Sequence, residues 1–223
     1  MKTVIQAIVG YIKNIDKILW ALCLACSAFS MVLMYSLYVN GFISSSRNLV
    51  IQLVGVLLGM VCAIVLSLVI IARLWKIHLP LTVLLVLLTF FFGVQRGGAD
   101  DKAWLNLGVT TIQPSEFLKL SFIVTFALHL SSLKEDINRP KNILLLVLHA
   151  GAIAGLIVVQ GDFGTALIFL FIAVCMILSA GLSWKYILTG LIALPVVGFL
   201  VWEFVFQDLH RNRVLIAFNP DLD

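Results

Sequence analysis

An acidic and a basic residue, Glu116 and Lys119, stand three positions apart at the start of a long apolar stretch. Pro114 and Ser115 precede them, and either suits the first turn of a helix. Residues three apart share a helix face, so the carboxylate and the ammonium are expected to pair. In an apolar surrounding the pair is either a structural ion pair or a site for an anionic head group. The spacing alone does not decide between them.

Two further polar clusters could contact an anion. Residues 160–165 interrupt a very long apolar stretch, and Asp162 with Thr165 suits the start of the next helix, so capping is a sufficient explanation. Near the carboxyl end, Arg211 and Arg213 favour a phosphate or carboxylate partner, although contact with lipid head groups is the simpler interpretation.

The histidines and cysteines do not form a metal-ligand pattern. Each histidine stands near a predicted helix end or on an apolar stretch, and is interpreted as packed or interfacial: His78, His129 and His149. The cysteines all lie in apolar runs, where core packing is expected: Cys23, Cys26, Cys62 and Cys175. Motifs of ATPases, metalloproteases and esterases are also missing from the sequence.

The composition requires these residues to be positioned by membrane helices. Hydrophobic residues make up 62% of the 223 and charged residues only 12%, with a mean hydropathy of +1.12. The chain has too few polar residues to cover the surface of a water-soluble fold. The apolar runs are continuous, which favours helices over a closed barrel. The net charge of +4 comes from scattered single basic residues, so nucleic acid is not an expected partner.

We predict an all-α, polytopic membrane protein with about seven transmembrane helices in a single membrane domain, residues 1–223. A helix needs about 20 apolar residues to cross a bilayer. The predicted spans are 18–38, 49–72, 78–94, 115–130, 142–159, 165–180 and 186–206.

The basic residues in alternate loops predict the orientation. By the positive-inside rule the amino terminus is cytoplasmic, and the loop 96–114 and the carboxyl end are outside. The first helix would serve as its own signal-anchor. The basic residues on the cytoplasmic side would be Lys2, Lys13, Lys17, Arg73, Lys76, Lys134, Arg139, Lys141 and Lys185.

Four clusters, taken in order, closely resemble the SEDS family of bacterial membrane proteins, the RodA, FtsW and SpoVE group. The stretch Gln-Pro-Ser-Glu-Phe-Leu-Lys-Leu at 113–120 is the most specific. The others are Lys-Ala-Trp-Leu-Asn-Leu-Gly at 102–108, Gln-Gly-Asp-Phe-Gly-Thr-Ala at 160–166 and Arg-Val-Leu-Ile-Ala-Phe-Asn-Pro at 213–220. The resemblance extends from Asp16 to the end of the sequence.

The resemblance implies a glycosyltransferase of about ten helices in the bacterial cytoplasmic membrane. It would polymerise lipid II, the undecaprenyl-linked disaccharide precursor, into peptidoglycan on the outer face, beside a class B penicillin-binding protein. Its role would be cell-shape maintenance or cell division. No resident cofactor is assigned, and the resemblance is compatible with a divalent cation as an accessory ion.

The same resemblance assigns candidate substrate-binding residues. Trp104 would be the family's loop tryptophan near the cavity, although a tryptophan at an interface is also typical of an aromatic belt. Glu116 and Lys119 would be the polar pair of the fourth helix, and Asp162 the acidic residue of a Gln-x-Asp-x-Gly-Thr turn. The full set is Lys102, Trp104, Gln113, Ser115, Glu116, Lys119, Asp162, Arg211 and Arg213.

Two departures limit the enzymatic assignment. Ala103 stands where many members have an arginine directly before the tryptophan, and Lys102 is the nearest cation. The family's proposed catalytic aspartate lies further along the large outer loop, and Asp208, Asp221 and Asp223 do not match its motif. We therefore assign no catalytic residue and expect this chain to be inactive by itself. A flippase for the lipid-linked precursor and a non-catalytic scaffold are the alternative functions.

Overall fold

The computed structural model describes residues 16–42, 47–65, 72–95, 101–108, 110–204, 211 and 215, and the structural statements below concern these. They contain seven long helices, as the sequence predicted. These are α1 (Lys17–Val39), α2 (Arg47–Val65), α3 (Trp75–Phe92), α4 (Pro114–Leu133), α5 (Pro140–Val159), α6 (Phe163–Ser179) and α7 (Trp184–Phe204).

The helices have the length and composition of membrane spans. Five of them, all except α2 and α6, are at least 18 residues long and apolar enough to cross a bilayer, and α2 and α6 carry the shorter apolar stretches Leu49–Cys62 and Phe163–Ser179. The predicted ends agree with the observed ones to within a few residues, except that residues 66–71 of the second predicted span and residues 205 and 206 of the last lie outside the described residues. The chain is a multi-pass membrane protein of the all-α class.

The cysteines correct one expectation. All four are free thiols on the exterior of the helices, and not in the core. Lipid tails are as apolar as a protein interior, so an apolar run does not show which side of a membrane helix is buried.

The chain divides into two compact units, residues 1–75 and 76–223. In the first, Asp16 caps α1 by accepting hydrogen bonds at Oδ1 from the backbone N–H groups of Ile18 and Leu19. Gln52 of α2 donates a short hydrogen bond to the Ser30 hydroxyl of α1. An amide between apolar helices fixes their register, because hydrocarbon offers it no other partner.

The second unit has an apolar core built around α4. Phe122 and Phe126 of α4 and Phe169 of α6 are completely buried. The Phe122 ring lies 5.1 Å from that of Phe126 and 5.4 Å from that of Phe169, measured between centroids. This aromatic cluster holds α4 against α6 and fixes the direction in which α4 presents its first turn.

A small sheet, which the sequence analysis did not predict, lies between α3 and α4. It has three antiparallel strands in the order β1 (Gly93–Val94), β2 (Trp104–Asn106) and β3 (Thr111–Ile112). Val94 pairs with Trp104, and Leu105 pairs with Ile112. The sheet therefore ties the end of α3 to the segment that leads into α4.

Candidate functional site

Asp162 joins the two helices that begin at the same end of the second unit. Its Oδ1 accepts a hydrogen bond of 2.9 Å from the backbone N–H of Thr165, so it caps α6 as predicted. Its Oδ2 accepts a hydrogen bond of 2.9 Å from Nε2 of Gln113, the residue before α4. We call residues 113–119 and 160–165 the head region.

Two helix N-termini therefore point into the head region. Each N-terminus has backbone N–H groups without a partner inside the helix and a partial positive charge, so it favours an anion. At α6 the carboxylate of Asp162 accepts a hydrogen bond from one of these N–H groups. At α4 the acidic residue Glu116 lies in the first turn.

The predicted pair of Glu116 and Lys119 is present. Lys119 Nζ lies 2.7 Å from Glu116 Oε1. The lysine side chain is 17% exposed and the glutamate side chain 55%. An ammonium has three N–H donors, and this ion pair uses one of them. The glutamate thus orients a cation that keeps donors for a second anion.

Ser115 lies behind this surface. It is completely buried, and its hydroxyl has no hydrogen-bond partner among the described residues. Pro114 is the first residue of α4, so proline occupies the first helical position and the serine turns into the core. A buried unpaired hydroxyl is usually satisfied by an ordered water. A substrate-binding role for Ser115 remains a prediction.

Gln160 adds a contact that the sequence analysis missed. Its Nε2 donates a short hydrogen bond to the Thr89 hydroxyl of α3, and both residues are buried. Its Oε1 has no partner within the described part of the chain. The glutamine links the turn before α6 to α3, so three helices meet at the head region.

The sheet places Trp104 and Lys102 at the same end of the unit. Trp104 is half-buried in β2, and Lys102 is exposed. Ala103 between them is completely buried. Lys102, the nearest cation before Trp104 in the sequence, is on the surface.

The loop before β2 also packs against the turn before α6. A Cβ atom added at Gly161 would lie 3.7 Å from Cβ of Asp101, and Gly161 has a positive φ of 92°. The turn requires this left-handed conformation, which glycine adopts without strain. The sheet loop and the head region are therefore neighbours.

Arg211 contacts the end of α7. Its Nε and Nη2 donate hydrogen bonds of 3.1 and 2.8 Å to the carbonyl oxygen of Trp202, and Nη2 also contacts the carbonyl of Glu203 at 3.1 Å. These carbonyls end α7, where a cation is favourable. Arg213 lies outside the described residues. The binding roles of both arginines remain predictions.

Comparison with known proteins agrees with the sequence resemblance. The FtsW, RodA and SpoVE cell cycle protein family matches residues 16–223. The chain is 28% identical over 218 residues to the probable peptidoglycan glycosyltransferase FtsW of Geobacter sp. (strain M18), covering 93% of this chain and 58% of that one. It is 34% identical over 141 residues to that of Bacillus subtilis (strain 168), covering 60% and 32%.

Two solved structures share the fold. One is from a study of polymerization and crosslinking by a peptidoglycan synthase complex, with a TM-score of 0.74, 29% identity and coverage of 93% of this chain and 60% of that one. The other is the rod shape determining protein RodA of Thermus thermophilus, with a TM-score of 0.62, 28% identity and coverage of 82% and 60%. The chain spans at most about three fifths of these relatives. It belongs to the FtsW, RodA and SpoVE family, also called the SEDS family.

Proposed function

We propose that this chain forms the lipid II-binding part of a SEDS-type peptidoglycan glycosyltransferase. The observation that carries the proposal is the head region, where the N-termini of α4 and α6 are joined by the bond between Gln113 and Asp162. Lys119 follows in the second turn of α4, where Glu116 pairs with it. Family membership supports the same assignment.

The chemistry fits a pyrophosphate. Its oxygens accept hydrogen bonds from the Lys119 ammonium and from the N–H groups at the start of a helix, and contacts of this charge-assisted kind are strong. Cations near the leaving pyrophosphate also stabilise the charge that develops during glycosyl transfer. The head region would thus both bind lipid II and assist the departure of the lipid pyrophosphate during glycosyl transfer.

Asp162 is a positioning residue in this proposal. Glycosyl transfer needs a base to activate the attacking sugar hydroxyl. Both carboxylate oxygens of Asp162 already accept hydrogen bonds, one from Thr165 and one from Gln113. We therefore assign it to holding α4 and α6 in place and assign no catalytic base.

The cellular setting follows from the basic residues and from the family. We propose a bacterial cytoplasmic membrane location with the amino terminus inside, so that the head region faces outward. The similarity to a chain of a peptidoglycan synthase complex supports a cross-linking partner, for which we propose a class B penicillin-binding protein.

Lipid II binding tests this function. In lipid nanodiscs, we expect Lys119→Met to weaken lipid II binding by about ten- to a hundredfold, because one charge-assisted contact contributes about 1.5 to 3 kcal/mol and 1.4 kcal/mol is tenfold. Lys141→Met is the matched control, since Lys141 stands at the start of α5, at the opposite end of the unit from the head region. It should bind like the parent.

Vesicles that contain fluorescent lipid II separate the functions. Binding without movement of lipid II between leaflets supports the glycosyltransferase assignment, and translocation by the chain contradicts it in favour of a flippase. A glycan ladder that requires this chain would show that a catalytic carboxylate lies within its 223 residues, against the expectation from the sequence.

A further inference from the structure

Two histidines face each other inside the second unit. Nδ1 of His129 in α4 lies 3.2 Å from Nδ1 of His149 in α5, and the rings are stacked with their centroids 5.5 Å apart and 30° between their planes. From the sequence, each was interpreted as a packed or interfacial residue. Their direct contact is an addition to that interpretation, and it joins α4 to α5.

Aromatic rings flank this pair. The centroid of the His149 ring lies 5.3 Å from that of Phe126 and 5.8 Å from that of Phe122, both at steep angles. Both phenylalanines are completely buried, whereas the two histidines are half-buried. The pair is therefore embedded in apolar surroundings, where a polar group is costly unless it is hydrogen-bonded.

No carboxylate pairs with either histidine within the described residues, whose salt bridges join Glu116 to Lys119 and Asp136 to Arg139. Lys119 is ten residues from His129, which is about 15 Å along a helix. The titratable or charged residues of the neighbouring elements are Lys76 and His78 on α3, Glu116 and Lys119 on α4, Lys134, Glu135, Asp136 and Arg139 between α4 and α5, Lys141 on α5, Asp162 at the cap of α6 and Cys175 on α6.

His78 of α3 is a third histidine of the second unit. Its Nδ1 contacts the Ser121 hydroxyl at 2.9 Å, two turns of α4 away from His129. It therefore hydrogen-bonds to a hydroxyl group. This makes it a useful control.

We propose that His129 and His149 form a proton-binding site inside the membrane, with room for one proton beyond the neutral state. In the neutral pair, one Nδ1–H donates to the lone pair of the other Nδ1. An added proton binds Nε2 of the donor ring, which becomes an imidazolium and donates a stronger, charge-assisted bond. Neither ring needs to move.

A second added proton has no place in this geometry. It would have to bind the accepting Nδ1, and two N–H groups would then point at each other across 3.2 Å. The rings would separate, and with them this contact between α4 and α5. The pair is thus a clamp between the two helices that opens on double protonation.

The pH dependence of unfolding tests the clamp. Below the ordinary histidine pKa of about 6.5, the unfolded chain binds a proton at each of the two rings, whereas the Nδ1–Nδ1 contact of 3.2 Å accommodates one added proton in this proposal. Because the unfolded state then binds more protons, stability falls as the pH falls, by up to tenfold in the unfolding equilibrium constant per pH unit. We expect this dependence for the parent chain in micelles between pH 6.5 and 5.

The matched variant is the double substitution His129→Asn with His149→Asn, whose amides can bond to each other but do not titrate. It should lose the extra tenfold per pH unit, whereas His78→Asn should keep it. Equal pH dependence of the parent and the double variant would overturn the proposal.

Nuclear magnetic resonance of the parent, labelled with nitrogen-15 at histidine, gives a second test that requires no variant to fold. At neutral pH we expect a scalar coupling between the two Nδ1 nuclei across the hydrogen bond, and its disappearance on acidification as the second proton binds. Absence of that coupling at neutral pH would equally overturn the proposal.

Discussion

Replacing Gly93 with alanine is expected to destabilise the second unit by about 1 to 3 kcal/mol, the range found for overpacking a closed site. A Cβ atom at this position would lie 2.1 Å from the carbonyl oxygen of Lys102 and 2.2 Å from that of Thr89. Both are backbone atoms, which cannot rotate away as a side chain can. β1 would have to shift relative to β2, which would disturb the pairing of Val94 with Trp104.

The apparent free energy of unfolding in mixed micelles measures this effect. Gly155→Ala is the matched control, because a Cβ there meets no atom within 4 Å and alanine favours a helix interior over glycine by about 0.5 to 1 kcal/mol. If Gly93→Ala were as stable as the parent, the described contact between β1 and β2 would be wrong.

Asp162→Ala is expected to cost about 2 to 3 kcal/mol. The substitution removes the cap of α6, worth about 0.5 to 2 kcal/mol, and the hydrogen bond from Gln113 to a charged acceptor, worth about 1.5 to 3 kcal/mol. The two losses overlap because a freed Gln113 amide can find water. Lipid II binding should weaken as well, since the two helix N-termini would no longer be joined.

A double-mutant cycle with Gln113→Ala isolates the bond between the two residues. We expect a coupling energy above about 0.5 kcal/mol, as for residues in contact. Asp162→Asn is the control, because asparagine still caps α6, and its amide can bond to Gln113 when the Gln113 amide turns over, so it should be more stable than Asp162→Ala. A coupling of zero, with Asp162→Ala and Asp162→Asn equally stable, would contradict the bridging role.

The helices could be predicted from the sequence because each apolar run is long enough to span a membrane and is bounded by charged residues or turns. Asp162 as a cap and the pair of Glu116 and Lys119 also followed, since both depend on spacing within a few residues. Local patterns determine local contacts.

The remaining contacts join residues far apart in the chain. Gln113 and Asp162 are 49 positions apart, and Thr89 and Gln160 are 71 apart. The sheet has strands of two or three residues, too short to show an alternating pattern. The need for glycine at position 93 arises from the backbone of Lys102, which no property of the residue reveals.

Photo-crosslinking tests the central claim, that the head region binds the head group of lipid II. A lipid II analogue with a photoreactive group on its sugar-pyrophosphate portion would be added to the chain in nanodiscs, and the labelled peptides identified by mass spectrometry. We expect labels in residues 101–119 and 160–165, and a reduction with Lys119→Met. Labels confined to α1 and α2, or to the connection between α4 and α5, would contradict the assignment.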